Sequence, residues 1–445
     1  MPAPEKASPV PSPTYELRVA DAPADIDAAA WDALLAAQSH ATPFLRHGYL
    51  AALHDSGSAT PETGWTPLFF TLWSSAGALD AACALYVKPH SYGEYVFDWA
   101  WADAYARHGL EYYPKAVAAV PFTPVPGARL LARDAATRLA LLQALLAWCA
   151  DAQLSSLHLL FAAQEDVHAA QQADLMLRHT VQFHWTNGLP TPAMEPAAQA
   201  TAERRPANTA NRPFCDFDDF LASLAQDKRK KIRQERRKVA EAGVSFRHAQ
   251  GAAISGDDWA FFYRCYERTY LEHGNPPYLT RDFFQRMQRD MPEAWVLFIA
   301  ERGGVPIASS LIAVNALTSP DAFNPTGQHP GDGAGATAAA MGHAPRVAYG
   351  RYWGALERVD CLHFEACYYQ PIEWCIAHGV QRFEGGAQGE HKMARALLPV
   401  QATSAHWLAH PAFAQAVDRF LAREGEGIEQ YMEHLQARSP FKLAP

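Results

Sequence analysis

Little in this 445-residue chain could hold it together except its own core. Seven cysteines lie scattered at 83, 149, 215, 265, 361, 367 and 375, with no Cys-x-x-Cys pair and no histidine at finger spacing. That excludes a disulfide framework and gives no zinc or other metal site, so the cysteines read as small buried apolar residues. Long apolar runs are missing too. The most apolar helical stretch, about Leu139 to Ala150, contains Gln143 and runs into Asp151, short of the ~20 residues a bilayer span requires. The first 13 residues carry Glu5 and several prolines but no apolar segment. No secretory leader is expected there, and the cytoplasm is the expected compartment. Positive charge is in deficit overall, at a net −9, which argues against a surface devoted to nucleic acid and leaves room for one local basic patch.

What is present is an ordinary globular composition, 49% hydrophobic and 19% charged, long enough to bury a large core. Two stretches stand apart: 188–213, mixing Pro, Ala, Thr, Asn and Glu, and 317–344, rich in Gly, Ala, Pro and Asp. Neither has apolar periodicity, and both read as flexible loops. The first separates two halves that share a plan. Leu68–Leu72 and Ala81–Val87 form a strand pair leading to Tyr92-Gly93-Glu94-Tyr95. Trp295–Ala300 and Ile307–Val314 do the same before Tyr349-Gly350-Arg351-Tyr352. Each half then has an amphipathic helix ending in Trp-Cys, at 148–149 and 374–375, followed by a strand, Leu157–Phe161 or Val380–Phe383. In this reading Asp103–Arg133 is a surplus of the first half. Helices are expected at Ile26–Ala37, His47–Ser56, Phe217–Ala242 and Asp258–Leu271. The pattern is an α/β unit occurring twice, each with a meander, a crossover helix and a strand parallel to its neighbour. It predicts a disordered tail at 1–13, units at 14–187 and 214–440, the linker 188–213, and the insertion 317–344 within the second unit.

Three sets of residues are candidates from chemistry alone. Lys88, His90, Tyr92 and Glu94 alternate, so a strand would point all four to one face, and such a face has to meet solvent, a partner or a substrate. The alternative is a cross-strand charge ladder. Tyr95, Phe97, Trp99 and Trp101 continue the alternation as a packing row, with Asp98 on the opposite face in a structural role. Tyr349, Arg351 and Trp353 share a face of the matching strand, and Glu365 projects nearby from the crossover helix. An arginine beside aromatic rings suits a phosphate or carboxylate. The third set is the run 228–238, which carries Lys228, Arg229, Lys231 and Arg233 among eight cations against the single Glu235. It reads as an amphipathic helix whose lopsided charge suits an anionic partner: a tRNA backbone, a diphosphate-linked precursor or an anionic lipid surface. Tyr266, Tyr270, Tyr278 and Arg281 read as helix packing.

Lys88-Pro89-His90-Ser91-Tyr92-Gly93-Glu94-Tyr95-Val96-Phe97-Asp98-Trp99, Tyr112-Tyr113-Pro114-Lys115, Val120-Pro121-Phe122-Thr123-Pro124-Val125 and Gln388-Gly389-Glu390-His391-Lys392 resemble segments of the FemAB-like predicted N-acyltransferases of peptidoglycan biosynthesis. The likeness spans about residues 30 to 440. It implies two tandem domains of the GNAT (acyl-CoA N-acyltransferase) fold, with mixed sheets flanked by helices. It also implies transfer of an activated acyl or aminoacyl group to an amine, with a cell-wall precursor or a small molecule as the acceptor. The donor is aminoacyl-tRNA or acyl-CoA, with no tightly bound cofactor. A Gly-rich turn that cradles pyrophosphate is replaced here by Val120–Arg129 with three prolines, which lack N–H donors, and by Asp360–Glu365 with no glycine.

Amide formation needs a base, oxyanion donors and an acid. On the resemblance, Glu390, His391 and Lys392 supply these groups from a loop at a strand's carboxyl end, with Gln388 beside them, while Lys88, Arg351 and Lys392 hold anionic groups in a crevice shared by both units. An acyl-CoA-dependent small-molecule N-acetyltransferase and a non-catalytic precursor-recognition protein are the competing readings.

Overall fold

A computed structural model describes residues 15–189, 212–315, 346–387 and 389–442. The expected tail 1–13, the insertion 317–344, most of 188–213 and Gln388 lie outside the described residues. Three antiparallel strands open the first unit: Tyr15–Ala20 (β1), Thr66–Ser74 (β2) and Leu79–Lys88 (β3). β3 is buried at nearly every position, as a strand covered on both faces has to be. Lys115–Ala118 (β4) pairs antiparallel with β3, and the two-residue Leu131–Ala132 (β5) pairs with β3 further along. The helix Ala135–Asp151 starts at Asp134, whose carboxylate accepts the Thr137 N–H, a cap that satisfies one of the helix's orphan donors. It crosses to Ser156–Ala162 (β6), which lies parallel to β4. Met176–Thr186 (β7) completes the unit.

The second unit repeats this course with Val244–Gln250 (β8), Trp295–Arg302 (β9), Val305–Val314 (β10) and Val347–Ala355 (β11) as an antiparallel meander. A helical segment from Leu362 to Ala377, with a π turn over Glu365–Tyr369, leads to Arg382–Ala387 (β12), parallel to β11, and then to Leu398–Leu408 (β13). The expected parallel strand after each crossover helix is therefore present in both halves.

The units do not keep separate sheets. All strands but β5 form one path, β1-β2-β3-β4-β6-β13-β7-β12-β11-β10-β9-β8. β7 leaves its own unit to pair with β12, β13 pairs with β6, and β7 and β13 pair with each other at the centre. On one sheet face the first helices of both units share a core that includes Trp31, Phe44, Tyr49, Phe262, Tyr266 and Phe283. The crossover helices lie in two further clusters, one per unit.

Several sequence expectations need correction. Of Lys88, His90, Tyr92 and Glu94 only Lys88 lies in a strand; β3 ends there, and Trp99 and Trp101 belong to the helix Trp99–Arg107, with Asp98 just before it. The counterpart of β11 is thus β4, not the Tyr92-Gly93 segment, and the surplus of the first half is the loop and helix between β3 and β4. The Tyr-Gly landmark misled because alternating aromatic residues also suit a loop whose inward side chains are polar. Phe217–Ala242 divides into Phe217–Ser223 and Gln226–Glu241.

β11 also packs closely on the helix Gly256–Glu272. A Cβ built on Gly354 would lie 1.9 Å from the Cys265 carbonyl oxygen, and backbone cannot step aside as a side-chain tip can. Gly354→Ala should therefore destabilise the fold by about 3 kcal/mol, the upper part of the usual overpacking range, read as a lower midpoint in denaturant unfolding. A wild-type midpoint would refute this contact.

Candidate active site: an open splay in the second unit

In each unit two parallel strands run side by side and then part, but only one of the resulting gaps is open. In the first, the pairing of Ala116–Ala118 with Leu157–Leu159 is extended by a bridge from Gly127 to Ala162. Arg129 fills what remains: its Nε donates to the Leu160 carbonyl at 2.8 Å and Nη2 to that of Val125 at 2.6 Å, while its backbone N–H donates to Asp166. This is the proline-bearing turn, so proline and a buried guanidinium occupy the place of a phosphate cradle.

In the second unit, β11 and β12 pair only over Val347–Tyr349 and Arg382–Glu384. Beyond that, glycine stands on both sides, Gly350 and Gly385, and a chamber of about 130 Å³ opens, bounded by Arg351, Trp353, His363, Cys367 and Tyr368 among others. Arg351, Tyr352 and Trp353 also line a larger chamber of about 360 Å³ on the side of Tyr270, Asn275 and Tyr278. Between Leu311 and Ile312 the register slips, so Arg351 has no partner on β10. Such a bulge bends a strand and re-aims its side chains. It also breaks the two-residue alternation that put Tyr349 with Trp353, while Tyr349 and Arg351 both meet the Phe44 ring. Tyr349 instead is buried against Phe44 in the shared core, a correction to its expected place in the cleft.

The first unit reaches this crevice through its proline turn. Arg351 Nη2 donates to the Phe122 carbonyl at 2.9 Å and lies 3.3 Å from Thr123 Oγ1, and Phe122 stacks on Tyr278 with centroids 4.7 Å apart. Phe122 and Thr123 thus touch residues of a crevice whose own lining comes from the second unit, and Glu94 is not on it.

Glu390, His391 and Lys392 sit in a short 3₁₀ turn, Glu390–Arg395, and diverge. Glu390 is exposed and bound by Tyr431 at 2.8 Å and Arg438 at 3.3 Å, both from the last helix, and the Tyr431 hydrogen bond holds its carboxyl below the usual range. His391 Nε2 lies 3.2 Å from the Tyr368 hydroxyl at the chamber wall. Lys392 turns inward, is buried, and donates to the Gly386 carbonyl at 2.9 Å. Burial pushes its pKa down to about 8. Glu365 does not project into the crevice: it accepts from Arg236 at 3.1 Å and Gln370 at 2.8 Å, tying the crossover helix to the basic helix.

On the basic helix, Lys228 pairs with Asp227 at 2.9 Å and Arg233 with Asp218 at 3.6 Å, while Arg229 and the exposed Lys231 have no carboxylate partner among the described residues. Lys231, Lys392 and Arg395 all act on His391, whose pKa is lowered first by desolvation and then by these cations. Arg395 is itself offset by Glu235, at 2.9 and 3.0 Å. Two lysines without a carboxylate partner among the described residues therefore act on His391 beside the small chamber, Lys392 buried with its Nζ on Gly386 and Lys231 exposed.

His363 was absent from the expected residues. It lines the small chamber between the rings of Trp353 and Tyr368, with no hydrogen bond to either ring nitrogen among the described residues. Desolvation, followed by the charges of His391, Arg395 and Lys392, lowers its pKa to about 4, so the ring is neutral at pH 7. Burial raises the Cys367 thiol, which leaves it a poor nucleophile. Tyr270 and Tyr278, read from sequence as packing, line the larger chamber.

The Lys88 cluster is a buried network instead of a solvent-facing surface. Lys115 Nζ holds Ser91 at 2.7 Å, Glu94 at 2.8 Å and Asp98 at 2.5 Å, and Asp98 also accepts from Tyr112 at 2.7 Å. Lys88 donates to the carbonyls of Gly64 and Tyr92 and sits 3.4 Å above the Trp65 ring. Desolvation brings Lys88 down to about 7 and Glu94 up to about 7. His90 is half-buried and accepts from the Tyr92 N–H at 3.3 Å, while Tyr92 is 62% exposed. One lysine thus pins three inward residues of a loop that has no strand to hold it.

Two units of meander, crossover helix and splayed parallel strand, with a polar crevice at the splay, define a tandem GNAT-like fold. A profile of the FemAB-like family, described as peptidoglycan biosynthesis/recognition, matches residues 22–191, 192–318 and 332–443, and the chain belongs to that family. Among curated proteins, none matches the sequence. Similar solved structures include the C-terminal domain of a putative lysylphosphatidylglycerol synthetase from Agrobacterium fabrum, 9% identical, TM-score 0.46, covering 90% of this chain and 97% of that one. L-PGS from Bacillus licheniformis is 10% identical at TM-score 0.46, covering 89% and 97%. A tandem GNAT protein from the clavulanic acid biosynthesis pathway is 11% identical at TM-score 0.42, covering 89% and 99%. These are likenesses in the course of the chain. Among the described residues, no helix is long and apolar enough to cross a membrane, and no group of His, Cys, Asp and Glu could hold a metal ion.

Removing the pinning charge would strand Glu94 and Asp98. Lys115→Met should cost about 3–5 kcal/mol, the range for breaking a buried pair, and adding Glu94→Gln and Asp98→Asn should recover part of it. Equal unfolding midpoints for wild type and Lys115→Met would contradict the network.

Proposed function

We propose that the protein is an N-acyltransferase that joins an activated acyl or aminoacyl group to an amine in the crevice at the end of β11. The observation that carries this reading is a neutral histidine, His363, with free ring nitrogens, in a small chamber with Lys392 and Lys231 close by. The acyl carbonyl enters the gap between β11 and β12 beyond Tyr349 and Glu384, where their pairing ends. An anionic portion of the donor meets Lys392 and Lys231, and the basic helix extends that attraction outward. A polyanionic donor suits these cations, whether it carries an oxygen ester, as an aminoacyl-tRNA does, or a thioester.

The amine nitrogen attacks the carbonyl carbon and forms the C–N bond, and His363 takes the proton that nitrogen sheds. As the tetrahedral intermediate collapses, the bond from carbon to the leaving oxygen or sulfur breaks. The Tyr368 hydroxyl protonates that atom and regains a proton from solvent by way of His391, 3.2 Å from it, while His363 releases the amine's proton to solvent. Glu390 serves the site from outside by fixing the 3₁₀ turn to the last helix. A cell-wall precursor as acceptor fits the family description.

Incubation with radiolabelled acetyl-CoA or aminoacyl-tRNA and a set of amines tests the reading: label should pass from one donor to an amine, and no transfer from either would refute it. His363→Gln should lower kcat/KM by about 10²–10⁴-fold with an unchanged melting temperature. Because kcat/KM reports the free enzyme and the free histidine ionises near pH 4 instead of 6.5, the acid limb should be absent between pH 5 and 7. A limb near pH 6.5 would point to another base. Lys392→Met should raise the donor KM by about 10-fold or more, the worth of one charge-assisted hydrogen bond, and an unchanged KM would remove Lys392 from donor binding.

A further inference from the structure

Arg351 stands at the junction of the two chambers with its charge unanswered. Its Nη2 is spent on the Phe122 carbonyl and Thr123, its Nε is buried without a hydrogen bond, and no carboxylate lies within ion-pair distance among the described residues. The buried guanidiniums are offset: Arg138 by Asp166 at 3.1 Å, and Arg395 by Glu235. Arg129 spends its donors on carbonyls and has Asp166 close by. Arg351 is half-buried, and only ring faces stand where those have a carboxylate, Tyr352 at 5.1 Å and Phe44 at 5.3 Å. Cation–π contact is a weaker partner for a guanidinium than a bidentate carboxylate. A site that keeps such a charge free is one that a ligand completes.

The surroundings narrow the ligand. The larger chamber, about 360 Å³, is walled by Tyr266, Tyr270, Tyr278, Tyr352 and Trp353; besides Arg351 its one basic side chain is His273, whose Nδ1 is 2.6 Å from the Thr269 carbonyl, and no lysine, second arginine or acidic group lines it. A phosphate monoester brings nearly two charges against one guanidinium here, whereas two lysines, Lys392 and Lys231, act on His391 beside the small chamber. A carboxylate brings one charge in a planar shape that a guanidinium fork matches. We infer that the larger chamber binds the acceptor through a free carboxylate on Arg351, with the body of an amino acid or short peptide among the tyrosine rings and its amine directed past Trp353 toward His363. The direction of the amine rests on the reaction proposed above; the carboxylate site does not.

Calorimetric titration of the intact protein with the L-amino acids and with their C-terminal amides tests the inference without any turnover. At least one acid should bind, and its amide should bind ten-fold or more weakly. Arg351→Gln should abolish that discrimination, and Arg351→Lys should restore part of it. If no acid binds, if acids and amides bind alike, or if a folded Arg351→Gln still discriminates, the site is wrong. The comparison of acid with amide needs only the wild-type protein, so a variant that fails to fold does not decide the matter. Acids that bind but are never acylated by either donor would sink the reaction and keep the site. Amides acylated with the same kcat/KM as the acids would keep the reaction and sink the site.

Discussion

The pairing of β7 with β12 and of β13 with β6 is the constraint from which the rest of the architecture follows. A strand that leaves its own unit to finish its neighbour's sheet removes two exposed edges that would otherwise need protection, and it fixes the distance and angle between the halves. Backbone ladders, which do not depend on particular side chains, carry that orientation across the middle of the molecule. Only because it is fixed can a carbonyl in the Phe122 turn of one unit meet an arginine on β11 of the other.

On that common frame the two units have diverged in opposite directions. The first has turned its gap into structure: prolines remove donors, Arg129 occupies the opening, and the buried charges around Lys115 hold a loop in place. The second has kept the gap open beyond the last pair of β11 and β12, and sets Lys392 and Lys231 near it without carboxylate partners among the described residues. Buried ionic groups therefore mean different things in the two halves. Lys115 is surrounded by partners and Arg351 is not, and it is the missing partner, more than the charge, that marks a site.

The repeat, the crossover helices and the parallel strands that follow them were legible from the chain, because apolar periodicity and Trp-Cys landmarks report on cores. The sheet's continuity was not, since no local pattern states which unit a terminal strand will join. The alternation through Lys88, His90, Tyr92 and Glu94 is real but sits on irregular backbone, where period two carries no information about faces. A bulge at Arg351 separated Tyr349 from Trp353 for the same reason: one unpaired residue reverses every inference downstream. His363 lay within the stretch already noted as unfit to cradle phosphate, and a lone histidine there has no sequence signature. Of the three consecutive residues in the Glu390-His391-Lys392 motif, the turn sends one outward, leaves one beside the small chamber and buries one, because a 3₁₀ helix rotates each residue by a third of a turn.

The central antiparallel pair of β7 and β13 has a consequence for ancestry. Read about that pair, the two halves are related like the protomers of a dimer that trade their last strands, a low-cost route to association when an identical element is exchanged. Joining the genes of such a dimer would free each copy from having to serve both roles. One could then harden into a scaffold while the other kept its opening, which is the division of labour seen in the closed and open gaps of this chain.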